Sequence, residues 1–175
     1  MNLAVFGGSF DPPHIGHELI VLEALKTLHV EKIFVVPTFL NPFKDGFDAP
    51  PNLRLKWLHK LFDKNDKIEI LDFEIRQKRA TPTIETIRYI KQKFKPKKIY
   101  LIIGADNYEK LPLWSSFEEL KSLVEFVIAS RDDIITPIEL KKIKIDVDIS
   151  SCELRKDLDL SYIPNQIRDE VETNY

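Results

Sequence analysis

The chain has one cysteine, Cys152, among its 175 residues. A lone thiol cannot close an intramolecular disulfide or build a cysteine metal cluster, so a reducing cytosol is the expected compartment. No run is apolar for the length that a bilayer crossing demands. The opening MNLAVFGGSFDPPHIGH lacks the basic start and the small-residue cleavage site of a secretory leader. Excess positive charge is missing as well. The formal net charge is −2, which argues against a nucleic-acid partner while leaving room for a small phosphorylated ligand held by a few local cations. Neither GxxxxGK(S/T) nor GxGxxG occurs, so neither a P-loop nor a dinucleotide fingerprint is indicated. No repeat, low-complexity tract or linker interrupts the chain. A single domain over residues 1–175 is expected, and 43% hydrophobic with 31% charged residues predicts a packed core.

What is present alternates. Asn2–Phe6, Lys32–Val36, Ile68–Phe73, Lys98–Ile103, Val124–Ala129 and, more weakly, Ile143–Val147 read as strands. Ile15–Leu28, Leu53–Phe62, Pro82–Phe94, Ser150–Leu158 and Asn165–Val171 read as helices, the first on the spacing of Leu19, Leu22, Leu25 and Leu28. Trp57 falls at helical spacing with Leu53 and Leu61 and is expected in the core. Thr81 would cap the third helix, with Pro82 in its first turn. Such alternation predicts an α/β, Rossmann-like, doubly wound and mostly parallel sheet with helices on both faces, binding its ligand beyond the carboxyl ends of the strands. Pro37–Pro51 is the one long stretch without periodicity, and loops of that length are commonly functional or mobile.

The first turn carries the strongest pattern, Gly7-Gly8-Ser9-Phe10-Asp11-Pro12-Pro13-His14-Ile15-Gly16-His17. Its glycines permit a sharp turn and a close approach to a ligand. Backbone N–H groups at the start of the following helix can face an anion. His14 and His17 lie three residues apart, so both rings can point to one side and donate to phosphoryl oxygens as charge builds. A plain strand–turn–helix corner is the alternative. Zinc is another, but no third ligand lies near in sequence.

GGSFDPPHIGH resembles the (G/T)xFDPxHxGH signature of the nucleotidyltransferase superfamily, and its doubled glycine and second proline are similar to bacterial nicotinate mononucleotide adenylyltransferases. The similarity runs along nearly the whole chain. Pro37–Lys44 resembles a PxxxPPHK-like loop, with Phe43 at the usual histidine. Arg76–Thr86 resembles RxGxSYTxDT: Thr83 and Thr86 match, while Lys78, Pro82 and Glu85 replace glycine, tyrosine and aspartate. Ile103–Trp114 resembles IGxDxLxxLxxW. Asp148–Arg155 resembles (D/E)ISSTxIR with Cys152 for threonine, and Tyr162-Ile163-Pro164 matches a YIP element.

The resemblance implies adenylyl transfer from ATP to nicotinate mononucleotide, giving nicotinate adenine dinucleotide and pyrophosphate in NAD biosynthesis. It implies catalytic roles for His14, His17, Lys44 and Arg155. ATP would rest on those four with Gly7, Gly8, Ser9, Phe10, Ser150 and Ser151. The mononucleotide would rest on Gly8, Ser9, Phe10, Thr83, Gly104, Asp106, Trp114 and Arg131. Mg²⁺ would arrive with ATP, and no dedicated metal site, nucleic acid or membrane partner is expected. Two other readings remain at this point: a phosphopantetheine adenylyltransferase-like enzyme, and a nucleotide sensor without turnover. The choice between nicotinate and nicotinamide mononucleotide is open.

Overall fold

The computed structural model describes residues 1–130, 140–147 and 149–175, the side chain of Asp106 excepted. In chain order the elements are β1 (Asn2–Gly8), α1 (Ile15–Thr27), β2 (Lys32–Pro37), α2 (Pro51–Phe62), β3 (Ile68–Ile70), α3 (Phe73–Gln77), α4 (Thr83–Phe94), β4 (Lys98–Gly104), α5 (Ala105–Tyr108), α6 (Phe117–Leu123), β5 (Glu125–Ser130), β6 (Lys141–Lys144), α7 (Ser151–Lys156) and α8 (Arg168–Asn174). The strands form one six-stranded sheet in the order β3-β2-β1-β4-β5-β6. Every pairing is parallel. The order turns back between β1 and β4, and that reversal opens a crevice at their carboxyl ends.

The inner strands β1, β2, β4 and β5 are apolar on both faces because both faces are covered, whereas the edge strand β6 exposes three lysines. Ala4, Phe6, Ile33, Val35, Tyr100 and Ile102 pack under α1, α2 and α8. Leu3, Val5, Phe34, Val36, Leu101 and Ile103 pack under α4 and α6. Trp57 is fully buried in the first layer. Among the described residues no helix is long and apolar enough to cross a membrane.

Several local expectations shift. α1 buries Gly16, Ile20, Val21 and Ala24, whereas Leu19 and Leu22 are exposed. The helix is apolar on nearly every side, so spacing alone could not select the face. The 68–73 run is a strand only to Ile70, and Phe73 opens α3. Pro82, not Thr81, is the N-cap of α4; the Thr81 hydroxyl donates to the Arg79 carbonyl. β6 begins at Lys141, two residues before the expected Ile143, and α8 begins at Arg168 rather than Asn165. α3 and α6 were not expected from periodicity. Both are short and lie beside loops.

Candidate active site

β1 delivers its motif to the reversal point. Gly8 still pairs with Pro37 of β2, and the chain then turns at Phe10, whose φ of 50° lies in the left-handed region. The turn buries the Phe10 ring against Phe6 and His17. A Cβ on Gly8 would meet that ring at 3.1 Å, so glycine is what lets Phe10 fold back. His14 caps α1, and its ring stacks on His17 with centroids 3.7 Å apart. Gly16 makes this possible, since a Cβ there would sit 3.0 Å from the His14 ring.

The backbone N–H of His14 donates to Nδ1 of His17 at 3.2 Å. Burial, then the neighbouring His14, hold the His17 pKa well below its usual value. A neutral ring that accepts at Nδ1 carries its proton on Nε2, so His17 has one N–H to offer a ligand.

Around this pair opens a cavity of about 1110 Å³, bounded by the β1 turn, the 38–44 loop, the start of α4, the end of β4 and the start of α7. Gly7, Gly8, Ser9, Phe10, His14, His17, Lys44, Thr83, Gly104, Trp114, Ser150 and Ser151 all line it. A smaller hollow of about 250 Å³ between Ile15 and Arg168 lies apart and gathers none of these residues. Lys44 is exposed on a turn built by Asn41, whose side chain accepts from Phe43 N–H and whose carbonyl accepts from Lys44 N–H, both at 2.9 Å.

At α7 the serine hydroxyls are already engaged. Ser150 Oγ donates to Glu153 at 2.6 Å, and Ser151 Oγ donates to the Pro12 carbonyl at 2.9 Å. Ser150 caps α7 itself and Ser151 fastens it to the motif turn, leaving backbone groups rather than hydroxyls for an anion. Arg155 is not on the cavity wall. Its guanidinium donates to the Asp11 carbonyl at 2.6 Å and pairs with Asp48 at 2.9 Å, behind the turn. Asp106 lies in α5 at the end of β4, its side chain outside the described residues. Arg131 and Asp148 are likewise outside the described residues.

The structure adds residues that motif matching passed over. Asp11 is buried and accepts from Asp48 N–H at 2.9 Å, Ala49 N–H at 2.8 Å and the Tyr175 hydroxyl. Arg54 is buried too, donating to the carbonyls of Ala49 and Phe39 at 3.0 Å each and to that of Ser9. Together they tie both ends of the 37–51 loop to the motif turn. A signal for Arg54 was available: it shares the apolar face of α2 with Trp57, Leu58 and Leu61. Glu74 is a third such residue. It is 5% exposed, lies between Phe73 and Ile75, lines the cavity and accepts from the Thr86 hydroxyl at 2.6 Å. Burial lifts its pKa to about 7, and the nearby charge of Glu85 adds to the rise. Its second oxygen, the Thr38 hydroxyl and the Trp114 indole nitrogen are buried without hydrogen-bond partners, all from residues that line this cavity. Buried polar groups are rarely left so.

Sheet order, cleft position and histidine pair define the class as a nucleotidyltransferase-like α/β protein. The cytidylyltransferase-like family profile matches residues 5–157. A Campylobacter jejuni strain RM1221 protein named "Probable nicotinate-nucleotide adenylyltransferase" is 49% identical over 175 residues, covering 100% of this chain and 97% of the relative. A Sulfurimonas denitrificans protein of the same name is 49% identical over 174 residues, covering 99% of this chain and 94% of its own length. The chain belongs to the cytidylyltransferase-like family, among its nicotinate-nucleotide adenylyltransferases. The fold agrees with a solved Plasmodium falciparum nicotinic acid mononucleotide adenylyltransferase complexed with NaAD, at a TM-score of 0.80 and 23% identity, covering 98% of this chain and 95% of that one.

Proposed function

We propose that this chain, as a cytosolic enzyme of NAD synthesis, transfers the adenylyl group of ATP to nicotinate mononucleotide. The observation that carries this is the neutral, donor-oriented His17 beside His14, set in a cavity at the sheet's reversal point. The acceptor's phosphate is already ionised at neutral pH, so no strong general base is required. A phosphate oxygen of the mononucleotide attacks the α-phosphorus of ATP as the bond to the β-phosphate oxygen breaks, and pyrophosphate leaves. The task is alignment and stabilisation of the departing charge. His17 Nε2–H, His14 and Lys44 supply donors, and Arg155 acts indirectly by holding the motif turn to Asp48. Trp114 offers a ring face to the pyridine, and Thr83 and Gly104 border the same space. Among the described residues no three His, Cys, Asp or Glu side chains cluster as metal ligands. In this reading ATP enters as its Mg²⁺ complex, a substrate whose cation is held mainly by phosphate oxygens.

The test is pyrophosphate release from MgATP with nicotinate mononucleotide, nicotinamide mononucleotide or phosphopantetheine as acceptor. Release with a pyridine mononucleotide and formation of the dinucleotide are expected. Release only with phosphopantetheine, or ATP binding without turnover, would overturn the reading.

A further inference from the structure

Two walls of the cavity are joined behind the motif turn. The Lys44 segment and the start of α7 both line the cavity, whereas Asp48, beyond Lys44 in the same loop, and Arg155, one turn into α7 from Ser151, do not. Arg155 Nε donates to Asp48 Oδ2 at 2.9 Å, and Arg155 Nη1 donates to the Asp11 carbonyl at 2.6 Å. The Asp48 N–H returns to the Asp11 carboxylate at 2.9 Å. Asp11, Asp48 and Arg155 thus close a ring. Of its three links, the Asp48 carboxylate on Arg155 is the one that runs directly from the loop to α7.

A surface ion pair is the plain account of that link. The Asp48 side chain is 60% exposed, and pairs so exposed add little to stability. The two walls are in any case held to the motif turn by other bonds. The buried Asp11 carboxylate holds the loop through two N–H groups, and the Ser151 hydroxyl holds α7 to the Pro12 carbonyl. What the exposed pair adds is geometry. It sets the root of the Lys44 loop directly against α7.

We propose that Asp48 is a positioning residue for ATP: acting through Arg155, it clasps the root of the Lys44 loop to α7, so that these two walls of the cavity stand at the spacing the triphosphate needs. The proposal rests on the reading of the cavity as an ATP site, given above. Asp48 touches neither substrate. Its carboxylate orients the Arg155 guanidinium and limits the arc open to the exposed residues 41–47. Without the clasp, ATP must order the freed segment as it binds, and its affinity falls. The direction of the effect separates a clasp from a simple charge. Asp48 and MgATP are both negative, so removing the carboxylate tightens ATP if Asp48 acts only through its field. Removing a clasp loosens it.

The experiment compares wild type with Asp48→Ala, which keeps the backbone N–H on Asp11 and removes only the partner of Arg155. Measured are kcat, KM for MgATP and for nicotinate mononucleotide, Kd for an unreactive ATP analogue, and the denaturant midpoint. KM for MgATP and the analogue Kd are expected to rise about threefold to tenfold, the scale of ordering one freed segment. The acceptor KM and kcat should stay within about twofold, with the midpoint nearly unmoved. Asp48→Glu, which keeps the charge on a longer arm, should recover part of the loss. On an Arg155→Gln background, Asp48→Ala should change the analogue Kd by less than about twofold, because the two side chains act as one unit. Unchanged or tighter ATP in Asp48→Ala overturns the proposal, as does an equal loss on the Arg155→Gln background. A joint fall in kcat and in both affinities with a lowered midpoint would mark a structural brace and also overturn it. Wild-type transfer to neither mononucleotide would instead sink the reading of the reaction, while the analogue Kd still decides the clasp.

Discussion

The state of His17 comes from one backbone hydrogen bond and the rings packed around it. With Nδ1 held by the His14 N–H and charge disfavoured by burial, the ring is a neutral donor through Nε2. His17→Ala should leave the far-UV circular dichroism unchanged and lower kcat by about 10²–10³-fold, the usual cost of one lost transition-state donor. A folded variant with near-normal turnover would remove His17 from the chemistry. The same residue bears on stability. Its folded-state pKa is depressed below the usual histidine value of 6.5, so the unfolded chain binds the extra proton first as pH falls. Stability from this group is complete above that value and is lost as pH drops below it toward the folded pKa. Denaturant midpoints of wild type should therefore fall in mild acid, and His17→Gln should flatten that part of the decline.

At the scale of elements, the 37–51 loop is a cover with fixed ends. Its aperiodic sequence suggested mobility along the whole stretch. Asp11 and Arg54 instead fix its ends: the N–H groups of residues 48 and 49 bond to the buried Asp11 carboxylate, and Arg54 holds the Phe39 and Ala49 carbonyls. Amide exchange should thus split the loop. Residues 41–47 should exchange fast in the free protein and slow with an unreactive ATP analogue, as Lys44 swings onto the phosphates and water is excluded. Residues 48 and 49 should be protected in both states. Equal protection of 41–47 with and without the analogue would mean a rigid loop. Arg54 supplies the complementary test. Lysine keeps the charge but cannot span three carbonyls from one planar fork. Arg54→Lys should lose on the order of 3 kcal/mol in a denaturant titration, the scale of leaving buried groups unpaired. A loss below about 1 kcal/mol would show that water or backbone movement replaces those bonds.

Across the whole molecule, residues distant in sequence close on one another behind the cleft. The Tyr175 hydroxyl donates to Asp11, and its ring lies 6.2 Å from that of Trp57. Burial and Asp11 push the phenol's pKa up, so it remains a donor throughout the physiological range. Glu170 of α8 accepts from the Trp57 indole at 3.1 Å and reinforces the same closure. Tyr175→Phe keeps the ring and removes only the donor to Asp11, which retains two backbone N–H groups. A stability loss of about 1–2 kcal/mol is expected by thermal or denaturant unfolding. An unchanged midpoint would show that the two N–H groups alone satisfy the carboxylate.

The sequence by itself determined the alternation of strands and helices, the parallel sheet covered on both faces, and the place of the HxGH turn after the first strand. Those features are written in local patterns: apolar runs buried from both sides, a doubled glycine where backbone must fold tightly, histidines one turn apart. It also made the family resemblance visible. The tertiary structure alone decided which face of the evenly apolar α1 is buried, that Arg155 and Ser151 fasten the motif turn, and that Arg54, Asp11 and Glu74 are buried polar groups around the cleft. The reason is one of range. A charged residue reads as solvated until the packing of remote segments withdraws water from it, and only the fold specifies which carbonyls, N–H groups or empty space then face it.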